Sequence, residues 1–139
     1  MSDIKLPMRL VLDNIIAGRN IDNKPITQRA EIQNDATCLY QILDAVPTQE
    51  EKYKTHRRRV RRIRRELRPL VRVAENTDAP FDGVVGEIEI SDEALKWLVD
   101  LFDDAPEGVI VRGAAVETAE DIADLYDEVK NAEKREAEK

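Results

Sequence analysis

The chain has 139 residues, 42 % of them apolar and 37 % charged, with a formal net charge of −7. That apolar share suffices for one domain or two small subdomains with a shared core, and it excludes a disordered chain. No run approaches the roughly 18–20 apolar residues of a membrane span. The segment MSDIKLPMRL has no apolar signal core, and the single Cys38 cannot form an internal disulfide, so a cytoplasmic setting is expected.

In chain order, residues 7–17 are predicted as a short helix. Pro7 suits its first position, Met8, Val11, Leu12, Ile15 and Ile16 share a face, and Gly18 closes it. A short strand over Ile4–Leu6 precedes it. RNIDNKP (19–25) has the composition of a polar turn. A second helix is expected over 27–46, capped by Thr27, with Ile32, Ala36, Leu39, Leu43 and Val46 as its stripe and Pro47 as its stop. Thr48 and Glu51 fit a capping box that opens a third helix. On it, Tyr53, His56, Val60, Ile63, Leu67, Leu70 and Ala74 alternate at three- and four-residue steps, a heptad seam. Pro69 predicts a kink or an end near 65–69. These two helices read as an antiparallel hairpin.

After the linker-like ENTDAPFDG (75–83), the alternating GVVGEIEI (83–90) predicts a half-buried strand. Ser91 is the expected N-cap of a helix over 92–104 whose face is Leu95, Leu98, Val99 and Phe102. A buried strand at 109–111 and a last helix opened by Thr118 and Asp121 complete the series. Ile122, Leu125, Tyr126 and Val129 form that helix's apolar face. The expected fold class is α+β, mostly α, with an N-terminal helical hairpin packed on a small C-terminal β-α-β-α unit. The division places an arginine-rich helical subdomain at 1–75 and an acidic one at 76–139, or both within one compact domain.

Charge is segregated along the chain. Residues 57–72 hold nine arginines in sixteen positions. Residues 49–75 carry eleven Lys/Arg against four Asp/Glu, a net of +7. Residues 76–139 carry six against nineteen, a net of −13, and residues 1–48 sum to −1.

The residue inventory argues against an enzyme. His56 is the only histidine, and it falls on a packing seam among arginines; Cys38 reads as a small buried hydrophobe. Neither a His/Cys zinc site nor a glycine-rich phosphate loop can be assembled, so no metal and no cofactor is expected. Pro80, Asp82, Glu87 and Glu89 faintly resemble the acidic strand of metal-dependent nucleases. Glu89 stands where that motif needs lysine, so an acidic outward face is the better reading.

Three readings of the arginine helix compete. Arg57, Arg58, Arg61, Arg62, Arg65 and Arg68 on its outer surface contact nucleic-acid phosphates, or the acids of the last helix neutralise them, or they dock a protein partner or a second copy. Trp97 lies beside the main apolar face of its helix and joins these arginines as a candidate partner contact. The preferred expectation is a small non-enzymatic protein-interaction module with segregated basic and acidic faces. Its style suits a phage or mobile-element accessory or regulatory protein. The alternative is a nucleic-acid binder that uses the same helix.

Overall fold

A computed structural model describes residues 3–106, 109 and 111–138. The elements are β1 (Ile4–Arg19), β2 (Pro25–Asn34), α1 (Asp35–Ala45), a 3-10 turn (Glu51–His56), α2 (Arg57–Glu75), β3 (Phe81–Ile90), α3 (Asp92–Asp103) and α4 (Ala114–Ala137). The strands form one antiparallel sheet in the order β2-β1-β3.

The sheet overturns the expected N-terminal helical hairpin. Residues 7–17 belong to the central strand, and Thr27 lies in β2 rather than at a helix start. The reason is visible in burial. Leu6, Met8, Leu10 and Leu12 are at most 2 % exposed, while Lys5, Pro7 and Arg9 between them are exposed, the two-residue alternation of a half-buried strand. Val11, Ile15 and Ile16, which mimic a helical face in the sequence, are β-branched and sit well in extended backbone. The expected polar turn does exist, and it closes the β1–β2 hairpin. There Asn20 Oδ1 accepts from the backbone N–H groups of Asp22 and Lys24 at 3.0 and 2.9 Å.

The second helix is consequently short. Asn34 caps α1, its side-chain oxygen accepting from Thr37 N at 3.2 Å. Ala36, Leu39, Leu43 and Val46 are buried as expected, whereas Ile32 falls in β2 and is 51 % exposed. The expected Thr48–Glu51 capping box does not form: a 3-10 turn starts at Glu51 after Glu50, with no side-chain cap, and α2 then runs through Pro69 to Glu75. On it Val60, Ile63, Leu67 and Ala74 are buried and Leu70 is half-buried, whereas Tyr53 and His56, the first two positions of the expected seam, are half-buried in the 3-10 turn.

Among the described residues the C-terminal half is β3, α3 and α4, not β-α-β-α. β3 hydrogen-bonds to β1, from Ile90 opposite Ile4 to Phe81 opposite Leu12. Ser91 caps α3 by accepting from Ala94 N at 3.1 Å. Val109 and Val111 lie in no strand, and Ile110 lies outside the described residues. Thr118 does not open α4; the helix starts at Ala114, and Thr118 is buried within it. One core cluster joins Leu6 and Met8, Leu39 and Leu43, Val60 and Leu67, Ile88, Leu95, Leu98 and Ile122. It therefore draws on both halves of the chain.

β1 and β2 continue past the point where β3 begins. Residues 13–29 are exposed, including Ile15, Ile16, Ile26 and, at the turn, Ile21. This two-stranded arm lacks the third strand that steadies the rest of the sheet.

Where β1 meets β3 the register slips between Met8 and Arg9, opposite Gly86. α2 lies close above: a Cβ on Gly86 would collide with Cδ2 of Leu70. Gly86→Ala is expected to lose about 1 kcal/mol, since Leu70 can shift only partly in a packed interface. Urea unfolding of the variant checks this, and an unchanged midpoint would show that α2 does not press on β3 here.

Candidate functional site

The seam that buries Val60, Ile63, Leu67 and Ala74 dictates where the arginines go. With 3.6 residues per turn, the positions left over wrap the opposite side of α2. Arg57, Arg58, Arg61, Arg62, Arg65, Arg68 and Arg72 are exposed, and Arg59 and Arg64 are half-buried at the flanks. All six arginines singled out from the sequence therefore reach solvent.

Among the described residues only the flanking pair is neutralised. Arg64 meets Asp44 of α1 at 2.9 Å, and Arg59 meets Glu93 of α3 at 3.5 Å. Arg57 donates to the Thr48 carbonyl at 3.2 Å. Among the described residues Arg58, Arg61, Arg62, Arg65, Arg68 and Arg72 have no carboxylate within ion-pair distance. Neutralisation by the last helix, one of the three competing readings, is absent there. α4 packs on α1, α3 and β2, and no ion pair links it to α2.

The helix itself adds to the positive field. Its first turn carries no acid and three arginines, at the end where the peptide dipoles already point positive. A depression of about 330 Å³ is walled solely by Arg61, Arg64, Arg65 and Arg68. A neighbouring one, lined by Thr48, Gln49, Arg57, Val60, Arg61 and Arg64, extends the surface toward the start of α2. Arg68 and Arg64 stand beside the Tyr40 hydroxyl, with Arg64 Nη2 at 3.3 Å. They favour the phenolate and hold Tyr40 below its usual range.

The aromatic side chains around α2 are already engaged. Tyr40 lies under Arg64, 5.0 Å from ring centroid to guanidinium carbon, and Lys52 lies over Tyr53 at 5.3 Å. Trp97, the seventh candidate contact, is half-buried. It stacks on His56 with centroids 5.0 Å apart, and Arg59 lies over its ring at 5.7 Å. The structure thus places Trp97 as a tie between α3 and the start of α2, beside the arginine face rather than projecting from it.

His56 is held below its ordinary pKa near 6.5, first by burial and then by the charge of Arg59, with Glu93 opposing. Arg59 Nη1 lies 3.1 Å from His56 Nδ1, which suits a neutral ring accepting at that nitrogen. A depressed histidine binds more protons in the unfolded chain. Its contribution to stability is therefore complete above pH 6.5 and is lost as pH falls through the lowered folded value. Stability measured from about pH 7 down to about pH 5 should fall more steeply in the wild type than in His56→Gln. Parallel curves would show that the Trp97 stack does not depend on a neutral His56.

Two features escaped sequence reasoning. The β1–β2 arm is one; the alternation of residues 4–12 was the available signal. The other is a buried polar knot at Asp35. Its carboxylate accepts from Arg9 N at 2.9 Å, Gln33 Nε2 at 2.9 Å and Thr118 Oγ1 at 2.8 Å. Gln33 Nε2 also donates to Asp121 at 2.6 Å. No sequence signal marks this knot, because Thr118 stands 83 positions away.

Two of the three acidic residues of β3 serve as cross-strand partners. Asp82 pairs with Arg9 at 3.1 Å and Glu87 with Lys5 at 3.5 Å, in accord with an outward acidic face. Cys38 lines a cavity of about 290 Å³ with Gln41, Ile42, Ala45, Val109, Arg112, Ala114 and Ala115, and burial pushes its thiol up. Among the described residues no helix is long and apolar enough to cross a membrane. No family model, curated protein or solved structure matches the chain.

Proposed function

We propose that this protein is a non-enzymatic interaction module that docks an acidic protein surface onto the arginine face of α2. One observation carries the reading: the seven exposed guanidiniums of α2 have no carboxylate partner among the described residues. Such a surface lowers its energy when an anionic partner arrives, and arginine forks bind carboxylates bidentately. Three points favour protein over nucleic acid. The net charge of −7 opposes approach of a polyanion, the acidic α4 belongs to the same molecule, and the nearby aromatics already carry a cation or a ring against one face. A thiol raised by burial and a histidine locked in a stack are poor catalytic groups, which supports a binding role.

The test is affinity capture with wild type and with Arg58→Gln/Arg61→Gln/Arg65→Gln, before and after nuclease treatment. The reading expects a nuclease-resistant protein partner that the variant loses. Identical recovery by both proteins overturns it. The depression walled by four arginines favours phosphate as the second reading. In that case capture is nuclease-sensitive, and each arginine removed lowers the log–log salt slope for DNA or RNA binding by about one.

A further inference from the structure

The two charged helices carry matching patterns. On α2, Arg61, Arg65, Arg68 and Arg72 follow steps of four, three and four, which places them in one exposed stripe. On α4, Glu117, Asp121, Asp124 and Glu128 follow the same steps and are likewise exposed. Each stripe spans about 16 Å at 1.5 Å per residue. Because the spacing reads the same in both directions, the stripes match whether the helices meet parallel or antiparallel. None of these eight side chains has an ion-pair partner among the described residues, and no ion pair there joins α2 to α4.

The acidic stripe also borders a receptive shape. α4 and the sheet enclose a groove of about 250 Å³ with Leu6, Pro7, Val84, Ile122 and Leu125 in its walls and Asp121, Asp124 and Glu128 at its rim. Arg9 is its one cation, already held by Asp82. Arginine is the side chain that such a groove suits: its stem covers apolar surface while its head reaches the acids.

We infer that the protein assembles with a second copy head to tail, the arginine stripe of α2 seated on the acidic stripe and groove of α4. This rests on the reading of α2 as a protein-docking face and names the partner. The two patches differ, so each contact leaves a free patch of either kind and assembly can continue beyond a dimer. Whole-molecule repulsion between two chains of net −7 acts over tens of ångströms and is screened near 0.15 M salt. The contact pairs survive until the screening length falls to about 3 Å near 1 M. Association should therefore be strongest at intermediate ionic strength.

Sedimentation velocity on full-length protein tests this with two surface variants. One carries Arg61→Gln, Arg65→Gln, Arg68→Gln and Arg72→Gln; the other carries Glu117→Gln, Asp124→Asn and Glu128→Gln, sparing the Asp121 that Gln33 contacts. Wild type should exceed monomer mass at about 0.15 M salt and dissociate near 1 M. Each variant alone should associate at least roughly tenfold more weakly, and their equimolar mixture should stop at a one-to-one pair. A wild type that stays monomeric at its highest attainable concentration overturns the inference, as do variants that associate like wild type. In either case, loss of nuclease-resistant capture by the α2 variant would leave the docking reading standing with a foreign partner. Unchanged capture would remove that reading as well.

Discussion

Asp35→Ala is expected to destabilise the protein by about 3 kcal/mol, because it removes at once the acceptor of three hydrogen bonds, two buried and one part-buried. The carboxylate is 2 % exposed and ties four elements together. It takes the Arg9 N–H beside the β1–β3 register slip, the Gln33 amide at the end of β2 and the Thr118 hydroxyl of α4, and it lies in the first turn of α1. Negative charge at a helix start is itself favourable, and alanine forfeits that too. The loss is not total. Thr118 still reaches the Ala114 carbonyl at 3.3 Å, and Gln33 still reaches Asp121. Asp35→Asn keeps one acceptor oxygen and is expected to cost about half as much. Urea denaturation measures both, and amide exchange along α4 shows whether that helix loosens first. A change below about 0.5 kcal/mol for alanine would mean that the knot contributes nothing beyond its shape.

The knot also marks the limit of what the sequence discloses. The part of the heptad seam from Val60 to Ala74 was legible because Val60, Ile63, Leu67 and Ala74 repeat within one element, whereas Tyr53 and His56 fall in the 3-10 turn before it. Ser91 was legible because a cap acts on residues three positions away. β1 was not. Leu6, Met8, Leu10 and Leu12 alternate, yet Met8, Val11, Leu12, Ile15 and Ile16 also trace a helical face, and Pro7 suits a helix start. Local pattern leaves those options nearly level, and pairing with β3, about seventy or more residues on, decides between them. A similar rule governs the arginines. Their clustering is local and plain, but which of them would be neutralised depends on where Asp44, Glu93 and α4 come to rest.

Leu67→Ala is the second large effect, at about 3 kcal/mol, within the 2–5 kcal/mol usual for a leucine cut back in a closed core. Leu67 is fully buried, in the cluster that also holds Leu39 and Leu43 of α1 and Met8 and Ile88 of the sheet. Neighbours on three elements limit how far the cavity can collapse. The opposite face of α2 should respond with the opposite sign. Arg57 and Arg61, Arg61 and Arg65, Arg58 and Arg62, and Arg68 and Arg72 are like charges one turn apart. Each such pair destabilises an exposed helix by roughly 0.2–0.5 kcal/mol. Arg61→Gln with Arg65→Gln should therefore raise the urea midpoint slightly while Leu67→Ala lowers it sharply. If the double glutamine variant were instead less stable than wild type, the arginines would be holding the fold. The expected gain means that α2 keeps a repulsive surface against its own stability, which is intelligible if an anionic partner neutralises that surface in the bound state.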